Sequence, residues 1–311
     1  MAMKTKSLTS GDSPDLKTEL FSPLLTSAAS LEVDSSRIKI QKAIGKGRTA
    51  VVYRASLDGR DVAVKKFKLE ALQMTPLEKK NLQREIDIMK EIVHPLLVNL
   101  VGVVSNSGLS IITEFCHGGD LFTLLHTRED IPLAWSQQVK MCCDVAQAMC
   151  FLHNSTPQII HRDLKSLNLL LTEKVDSMDT DPVVKVSDFG QSRWKDKAAM
   201  GLEVMTRNVG TQHWMAPEVI RGENYDEKVD VYSYAMIVFE VITREVPFED
   251  FTPKEAAMAA MRGRRPDLEA VPPDCPKALE ALMTDCWVED SKSRPSFEAV
   301  VTRLCPVKML F

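Results

Sequence analysis

From Arg37 onward, apolar and polar residues alternate. Ile38, Ile40 and Ile44 stand among lysines and a glutamine, the period-two signature of a half-buried strand. Gly45-Lys46-Gly47 interrupts the run, and Val51-Val52-Tyr53 opens a second strand. Asp58-Gly59 is a strong two-residue hairpin signal, and Val62-Ala63-Val64-Lys65 makes the third strand of an antiparallel meander. The period then changes. Leu82, Ile86, Met89 and Val93 recur at helical spacing, which predicts a helix over 77–93 with Glu85 beside its apolar face. Residues 97–104 and 110–114 predict two further strands, and Cys116-His117-Gly118-Gly119 breaks the pattern as a linker would. Helical periods dominate the rest. Asp120 is placed to cap a short helix, and Val139, Cys142, Ala146 and Met149 mark a long one. Residues 229–243 form a strongly apolar helix with Asp230 conspicuous at its start, and helices are predicted over 256–262, 278–287 and 297–304.

Composition narrows the class. With 311 residues and 44% hydrophobic content the chain can bury a sizeable core. A net charge of -4 gives no support for a nucleic-acid face. Seven cysteines without a C-x-x-C pair argue for reduced thiols in a cytoplasmic setting, nuclear access included, and against a zinc site. The sulfur-bearing residues of the long helix are therefore expected in the core. No run approaches the ~18 apolar residues of a membrane helix. The Met-Ala start and Lys-Met-Leu-Phe end carry no lipidation signal, so no membrane anchor is expected. Residues 1–35, rich in Ser, Thr, Lys and Asp with Pro14 and Pro23, predict a disordered tail in which Leu24, Leu25 and Leu31 are the residues able to dock.

The chemistry concentrates in His161-Arg162-Asp163-Leu164-Lys165-Ser166-Leu167-Asn168 and in Asp188-Phe189-Gly190. The two stretches offer a carboxylate to orient a hydroxyl, and an amide and a second carboxylate to hold a hard cation. Between them, the acidic stretch 173–182 predicts a solvated hairpin tip. Gly45-x-Gly47-x-x-Ala50 has two readings: a tight turn needing positive φ, or a loop whose N–H groups approach phosphates. The strand that follows it argues against a dinucleotide fold, which needs a helix there. Lys65 in an apolar strand requires a partner, and Glu85 is the one expected.

In these motifs the chain resembles a eukaryotic protein kinase over residues ~36–306. The Gly-rich loop matches residues 45–52, the strand lysine Lys65, the helix glutamate Glu85, the catalytic loop residues 161–168, and the metal aspartate Asp188; Ala216-Pro217-Glu218 closes the activation segment. The resemblance implies an α+β, bilobal kinase fold: a small antiparallel β lobe with one helix over 36–115, a hinge at 114–119 and a large, mainly helical lobe over 120–306. Lys165 and Thr211 match positions characteristic of serine/threonine kinases. His213-Trp214 and the Cys286-Trp287 to Arg294-Pro295-Ser296-Phe297 tail look like the tyrosine-kinase-like group, near the Raf and mixed-lineage kinases.

The roles implied follow residue by residue. Asp163 would accept the substrate hydroxyl proton, Lys165 would neutralise the γ-phosphate, and Lys65, aligned by Glu85, would hold the α- and β-phosphates of ATP. Thr211 would face Asp163 and Lys165, and Asn168 and Asp188 would ligate Mg²⁺, with Mn²⁺ as an alternative. Ile44, Gly45, Lys46, Gly47, Val52, Ala63 and Leu170 would surround the nucleotide. Glu114 and Cys116 would bond the adenine from the hinge, Thr113 would be a small gatekeeper, and Asp120 would reach the ribose. Arg162 would receive a phosphate on Thr206, added by an upstream kinase or by the protein itself. Glu218 is expected to pair with Arg294, and Asp230 to accept N–H bonds from the His161-Arg162 turn. The expected partners are proteins with serine or threonine hydroxyls. Ala50 in place of the third glycine, Thr49 in place of the usual aromatic tip, and Gln191 depart from the pattern. A scaffold without activity and a tyrosine or dual-specificity kinase are the alternatives. The first usually loses Lys65, Asp163 or Asp188, and all three are present.

Overall fold

A computed structural model describes residues 31–47, 49–68, 75–105, 108–195 and 212–311. The chain divides into two compact units. One holds the described residues up to Gln83 together with Leu100–Glu114; the other holds Arg84–Asn99 and Phe115–Phe311.

The first unit is a five-stranded antiparallel sheet. Its strands are β1 (Ile38–Lys46), β2 (Ala50–Leu57) and β3 (Arg60–Phe67), then, after helix α1 (Pro76–Glu91), β4 (Leu100–Val104) and β5 (Ser110–Glu114). The order is β1-β2-β3-β5-β4. Asp58 and Gly59 both have positive φ, as the expected two-residue hairpin requires, and Leu57 pairs with Arg60. The core beneath the sheet is Val33, Ala55, Leu57, Val62, Val64, Val104 and Ile112. β1 forms as predicted, but Ile40 and Ile44 are 46% and 45% exposed. Register shifts between Ile40 and Lys42 and between Ala43 and Gly45 break the alternation along this edge strand.

Residues 31–34, placed in the tail by the sequence pattern, lie along the opposite edge. Glu32 bridges Val103 in parallel, Val33 N–H donates to Val103 O at 2.8 Å, and the Ser105 hydroxyl donates to the Glu32 carboxylate. Gly102 makes the room: a Cβ there would stand 2.4 Å from Val33 Cγ2.

Helix α1 stops at Glu91, two residues short of the expected end. Leu82, Ile86 and Met89 are buried as the period predicts, whereas Val93 is 76% exposed and its neighbour Ile92 is buried instead. The strand expected over 97–104 is two pieces. Leu97, itself part of the second unit, forms a parallel bridge with Val186 there, and only Leu100–Val104 joins the sheet.

The second unit is mainly helical. Short strands β6 (Gly119–Asp120), β7 (Ile159–Ile160), β8 (Leu169–Leu171), β9 (Val184–Val186) and β10 (Arg193–Trp194) are set among helices α2 (Leu121–His126), α3 (Trp135–Asn154), α4 (Pro217–Arg221), α5 (Lys228–Thr243), α6 (Pro253–Met261), α7 (Lys277–Cys286) and α8 (Phe297–Lys308). These strands are too short for a period to show; the hairpin tip expected over 173–182 implies β8 and β9, and the pattern does not predict the other three. β6-β8-β9 form one sheet and β10-β7 another. The acidic stretch 173–182 is the tip of the β8–β9 hairpin, held by Gln137 Nε2 donating to Ser177 O and Thr180 O. Helix α5 is buried from Val229 to Ile242, including Asp230 and Glu240. Val139, Cys142, Ala146 and Met149 of α3 are all core residues.

Candidate active site

In the first unit, the candidate nucleotide residues share neighbouring strands. Gly45 pairs with Val52, Val52 with Lys65, and Ala63 with Thr113. Glu114 ends β5, and Ile44, Gly45, Lys46 and Gly47 are exposed on β1 and its turn. Gly47 N–H donates to Ala50 O at 2.9 Å, and Lys68 Nζ donates to Gly47 O at 3.0 Å. Neither Gly45 nor Gly47 has positive φ, and a Cβ at either would meet nothing nearer than 3.4 Å. The turn therefore does not require glycine for its own geometry. Ala50, by contrast, is buried and paired with Phe67, which accommodates a methyl. Lys65 is half-buried, with its Nζ 5.8 Å from the centre of the Phe67 ring.

In the second unit, Asp163, Lys165 and Asn168 form one hydrogen-bonded group. Lys165 Nζ donates to both Asp163 oxygens, at 3.0 and 2.8 Å. Asn168 Nδ2 donates to Asp163 O at 2.7 Å and to Asp163 Oδ2 at 3.1 Å. Burial pushes the Asp163 carboxyl up from its ordinary 3.8. The Lys165 ammonium opposes this and the Asp188 charge adds to it, leaving the group raised.

Backbone geometry aims this group. Arg162 and Asp188 both sit in the left-handed region, at φ 71 and φ 61, a conformation that costs non-glycine residues energy and persists where the surroundings enforce it. Around Arg162 the enforcing residue is Asp230. Its oxygens accept the N–H groups of His161 and Arg162, each at 2.8 Å, and His153 Nε2 lies 2.9 Å away. Burial raises the Asp230 carboxyl, but His153, with help from His161 and the Arg162 N–H, outweighs it and holds the group below its ordinary value. His161 Nε2 meets Ser187 O at 3.0 Å, and its ring packs edge-on against the buried Phe189 ring at 5.5 Å. Phe189 thus anchors the turn while the Asp188 side chain is left exposed.

Glu85, on the part of α1 that belongs to this unit, is buried beside the same turn. A Cβ built at Gly190 would stand 3.2 Å from Asp188 Oδ1 and 3.4 Å from Glu85 Oε2. Asp120 pairs with Leu170 across β6 and β8 and caps α2, accepting Thr123 N–H at 2.8 Å. Cys116 is buried at the start of this unit. Arg162 stacks over the Tyr225 ring at 5.5 Å. Thr206 and Thr211 lie outside the described residues, as does Arg48 of the Gly-rich loop.

The donor chemistry fits a hard cation. Asn168 commits its Nδ2 to Asp163, so its amide oxygen is the atom that would face a cation, and Asp188 offers an exposed carboxylate. Among the described residues no cluster of three or more His, Cys, Asp or Glu side chains could hold a metal alone. Two oxygen donors completed by phosphate oxygens and water is a usual Mg²⁺ arrangement.

One part of the site escaped the sequence pattern. Glu240, fully buried on α5, accepts Ser166 Oγ at 2.7 Å and Trp214 Nε1 at 2.5 Å, and its Oε1 lies 3.0 Å from His126 Nε2. Burial raises this carboxyl, and the bonds from His126, Ser166 and Trp214 pull against the rise. The available signal was a lone carboxylate inside the apolar run Met236 to Ile242.

An antiparallel sheet unit, a mainly helical unit and an Asp-Lys-Asn group beside a left-handed Asp-Phe-Gly turn together define a protein kinase domain. The chain belongs to the family described as protein tyrosine and serine/threonine kinase, whose model matches residues 38–304. Members of this family use ATP and a divalent metal. Three relatives illustrate the likeness. A probable serine/threonine-protein kinase, SIS8, of Arabidopsis thaliana is 39% identical over 275 residues, 88% of this chain and 25% of that protein. A probable serine/threonine-protein kinase, roco7, of Dictyostelium discoideum is 37% identical over 280 residues, 88% of this chain and 10% of that protein. Mitogen-activated protein kinase kinase kinase 7 of Bos taurus is 36% identical over 275 residues, 87% of this chain and 44% of that protein. The chain thus spans less than half the length of these relatives. Among the described residues no helix is long and apolar enough to cross a membrane.

Proposed function

We propose that this protein is a serine/threonine protein kinase that transfers the γ-phosphate of ATP to hydroxyl groups of proteins. The observation that carries this reading is the Asp163 carboxylate held by Lys165 Nζ at 2.8 Å and Asn168 Nδ2 at 3.1 Å. In the transfer, the bond between the γ-phosphorus and the oxygen of the departing ADP breaks. A bond to the substrate hydroxyl oxygen forms, and the hydroxyl proton passes to Asp163. Asp163 aims the hydroxyl and takes up its proton as the transfer proceeds. Lys165, between Asp163 and the incoming phosphate, offsets the growing negative charge.

For the nucleotide, the exposed Gly45 and Gly47 backbone serves the phosphates, Lys65 the α- and β-phosphates, and Glu114 and Cys116 the adenine. Asn168 and Asp188 would hold Mg²⁺, which supplies charge neutralisation at the phosphates when bound. Serine/threonine specificity is supported by Lys165 and by the relatives' names. A phosphate on Thr206, added by an upstream kinase or by the protein itself and received by Arg162, is the proposed switch. All seven cysteines are free thiols, which supports a cytoplasmic location.

The test is a single assay with mapping. Purified chain is incubated with Mg-ATP and a serine- and threonine-rich protein, beside an Asp163→Asn control, and phosphates are located by mass spectrometry. Phosphoserine or phosphothreonine made only by the wild type is expected. Phosphotyrosine in comparable amount would replace the reading with dual specificity. Silence after treatment with an activating kinase, with ATP binding intact, would replace it with a scaffold. Full activity in Thr206→Ala would remove the switch.

A further inference from the structure

Helix α5 meets the catalytic loop through one polar stripe. Asp230, Ser233 and Glu240 are three and seven residues apart, one and two turns on a single helical face. Asp230 holds the N–H groups of His161 and Arg162 at one end of the loop. Ser233 Oγ donates to Trp214 O at 2.8 Å. Glu240 takes Ser166 Oγ, near the loop's other end, and the Trp214 indole N–H. Trp214 is therefore fixed by its carbonyl and its ring to the same helix, two turns apart. Ser166 directly follows Lys165, and Asn168 is two residues on. The side chains that bond Asp163 leave the backbone on either side of Ser166.

From this arrangement we infer that Glu240 is a positioning residue for phosphoryl transfer, joining Ser166 of the catalytic loop to Trp214 of the segment that ends at Ala216-Pro217-Glu218. The inference rests on the kinase reading above. A fully buried carboxylate is costly unless donors surround it, and apolar side chains would fill the same space at less cost. Its donors come from three separate elements: His126 at the end of α2, Ser166 in the turn before β8, and Trp214 ahead of α4. Each donor that leaves makes the carboxylate less well satisfied, so the arrangement holds or loosens as a unit. What it holds is the direction of Lys165 and Asn168. Its loss therefore acts on turnover and leaves nucleotide binding largely alone.

The experiment uses the full chain with Ser166→Ala, Trp214→Phe and the double variant. Neither single substitution touches the Asp163 bonds, and Trp214→Phe keeps most of the ring volume. Each single variant is expected to lower kcat about tenfold, with KM for ATP within about twofold, since each removes one hydrogen bond to a buried charge. Because both act through one carboxylate, the double variant is expected to lose less than the product of the two. A second readout needs no activity. Trp214→Phe is expected to speed amide hydrogen exchange over residues 161–168, although Trp214 lies far along the chain. Single variants with kcat within about twofold of wild type, losses that multiply in full, or unchanged exchange over 161–168 would each overturn the inference. A chain whose wild type has no activity but whose exchange responds would keep the positioning role and discard the kinase reading. Glu240→Gln, if it folds, is expected to lose about as much as one single variant, because its amide keeps one acceptor oxygen of the carboxylate's two.

Discussion

Asp230 accepts the backbone N–H of Arg162 at 2.8 Å, and Arg162 stands at φ 71. A left-handed arginine is held in place by a carboxylate 68 residues further along the chain. The same carboxylate holds His161, so it fixes the turn from which Asp163 emerges. Asp230→Ala leaves two buried N–H groups and His153 without their acceptor. The expected loss of stability is about 3–5 kcal/mol, the range for breaking a buried charged pair. The residual folded protein is expected to be poorly active, because Arg162 relaxes from its strained conformation. Urea titration read by circular dichroism gives the first quantity, and kcat per folded molecule gives the second.

Asp230 and Glu240 lie on one helix yet respond to pH in opposite senses. Burial acts upward on Asp230, but His153 carries it below its ordinary value in the folded state. Its contribution to stability is thus fully present above the ordinary aspartate range and is lost as pH falls through the folded value. Glu240 is raised above its ordinary 4.5, chiefly by burial. Its contribution is fully present below that value and is lost as pH rises through the folded one. The stability gap between wild type and Asp230→Asn is therefore expected to shrink toward acid, and that between wild type and Glu240→Gln to shrink toward neutrality. Urea midpoints at a series of pH values read both gaps. Parallel trends in the two variants would contradict the assignment.

The sequence made some of this visible and hid the rest for identifiable reasons. Asp58-Gly59, the Asp120 cap and the buried face of α1 depend on residues close in the chain, and local pattern found them. The Asp163-Lys165-Asn168 group lies within six residues, so its chemistry was visible before its geometry. Asp230 and the Glu218–Arg294 pair were reached through the family resemblance, and the hydrogen bonds are there. Leu97 shows the opposite case. An apolar run does not say which strand it will pair with, and this one divides between Val186 and the sheet. Glu240 was hidden by its surroundings, since a carboxylate in an apolar run carries no sign of three donors brought from elsewhere.

Lys165 donates to both oxygens of Asp163 and is half-buried beside it. Lys165→Met keeps the length of the side chain and removes the charge. The expected result is a fall in kcat of about 10²–10³-fold, the usual effect of deleting one electrostatic group from a preorganised site. KM for ATP is expected to change little, because the bonds lost are to Asp163. Steady-state kinetics with ATP and peptide varied separately provide the check. A rise in KM for ATP with unchanged kcat would place Lys165 on the nucleotide instead.

Arg294 forms a two-pronged bond with Glu218, at 2.6 and 3.0 Å, and its guanidinium is fully buried. It also donates to the backbone oxygens of Val288, Lys228 and Glu289, and it stacks over the Tyr232 ring at 5.1 Å. A lysine has one charged nitrogen and cannot reproduce a planar fork with five donors. Arg294→Lys is therefore expected to lose about 3 kcal/mol or more, close to the loss in Arg294→Ala. Thermal and urea unfolding of the two variants make the comparison. Near-wild-type stability in Arg294→Lys would mean that charge, not shape, sustains the site.

Gly102 and Val33 meet at the edge of the small sheet, and Val33 lies outside the residues that the family model matches. A methyl group on Gly102 would stand 2.4 Å from Val33 Cγ2 and 2.9 Å from Leu31 O. The first contact is with a side chain and can be relieved by substitution; the second is with backbone and cannot. Gly102→Ala is expected to destabilise the protein by about 1–3 kcal/mol, the range for overpacking a filled position. Val33→Ala alone also destabilises, because Val33 belongs to the core beneath the sheet. The double variant is expected to cost less than the sum, since Val33→Ala removes the nearer clash, yet more than Val33→Ala alone, since the Leu31 carbonyl remains. Urea midpoints of the two single variants, the double variant and the wild type complete the cycle. A fully additive result would mean that residues 31–34 do not rest on β4, and that the edge of the sheet is covered in some other way.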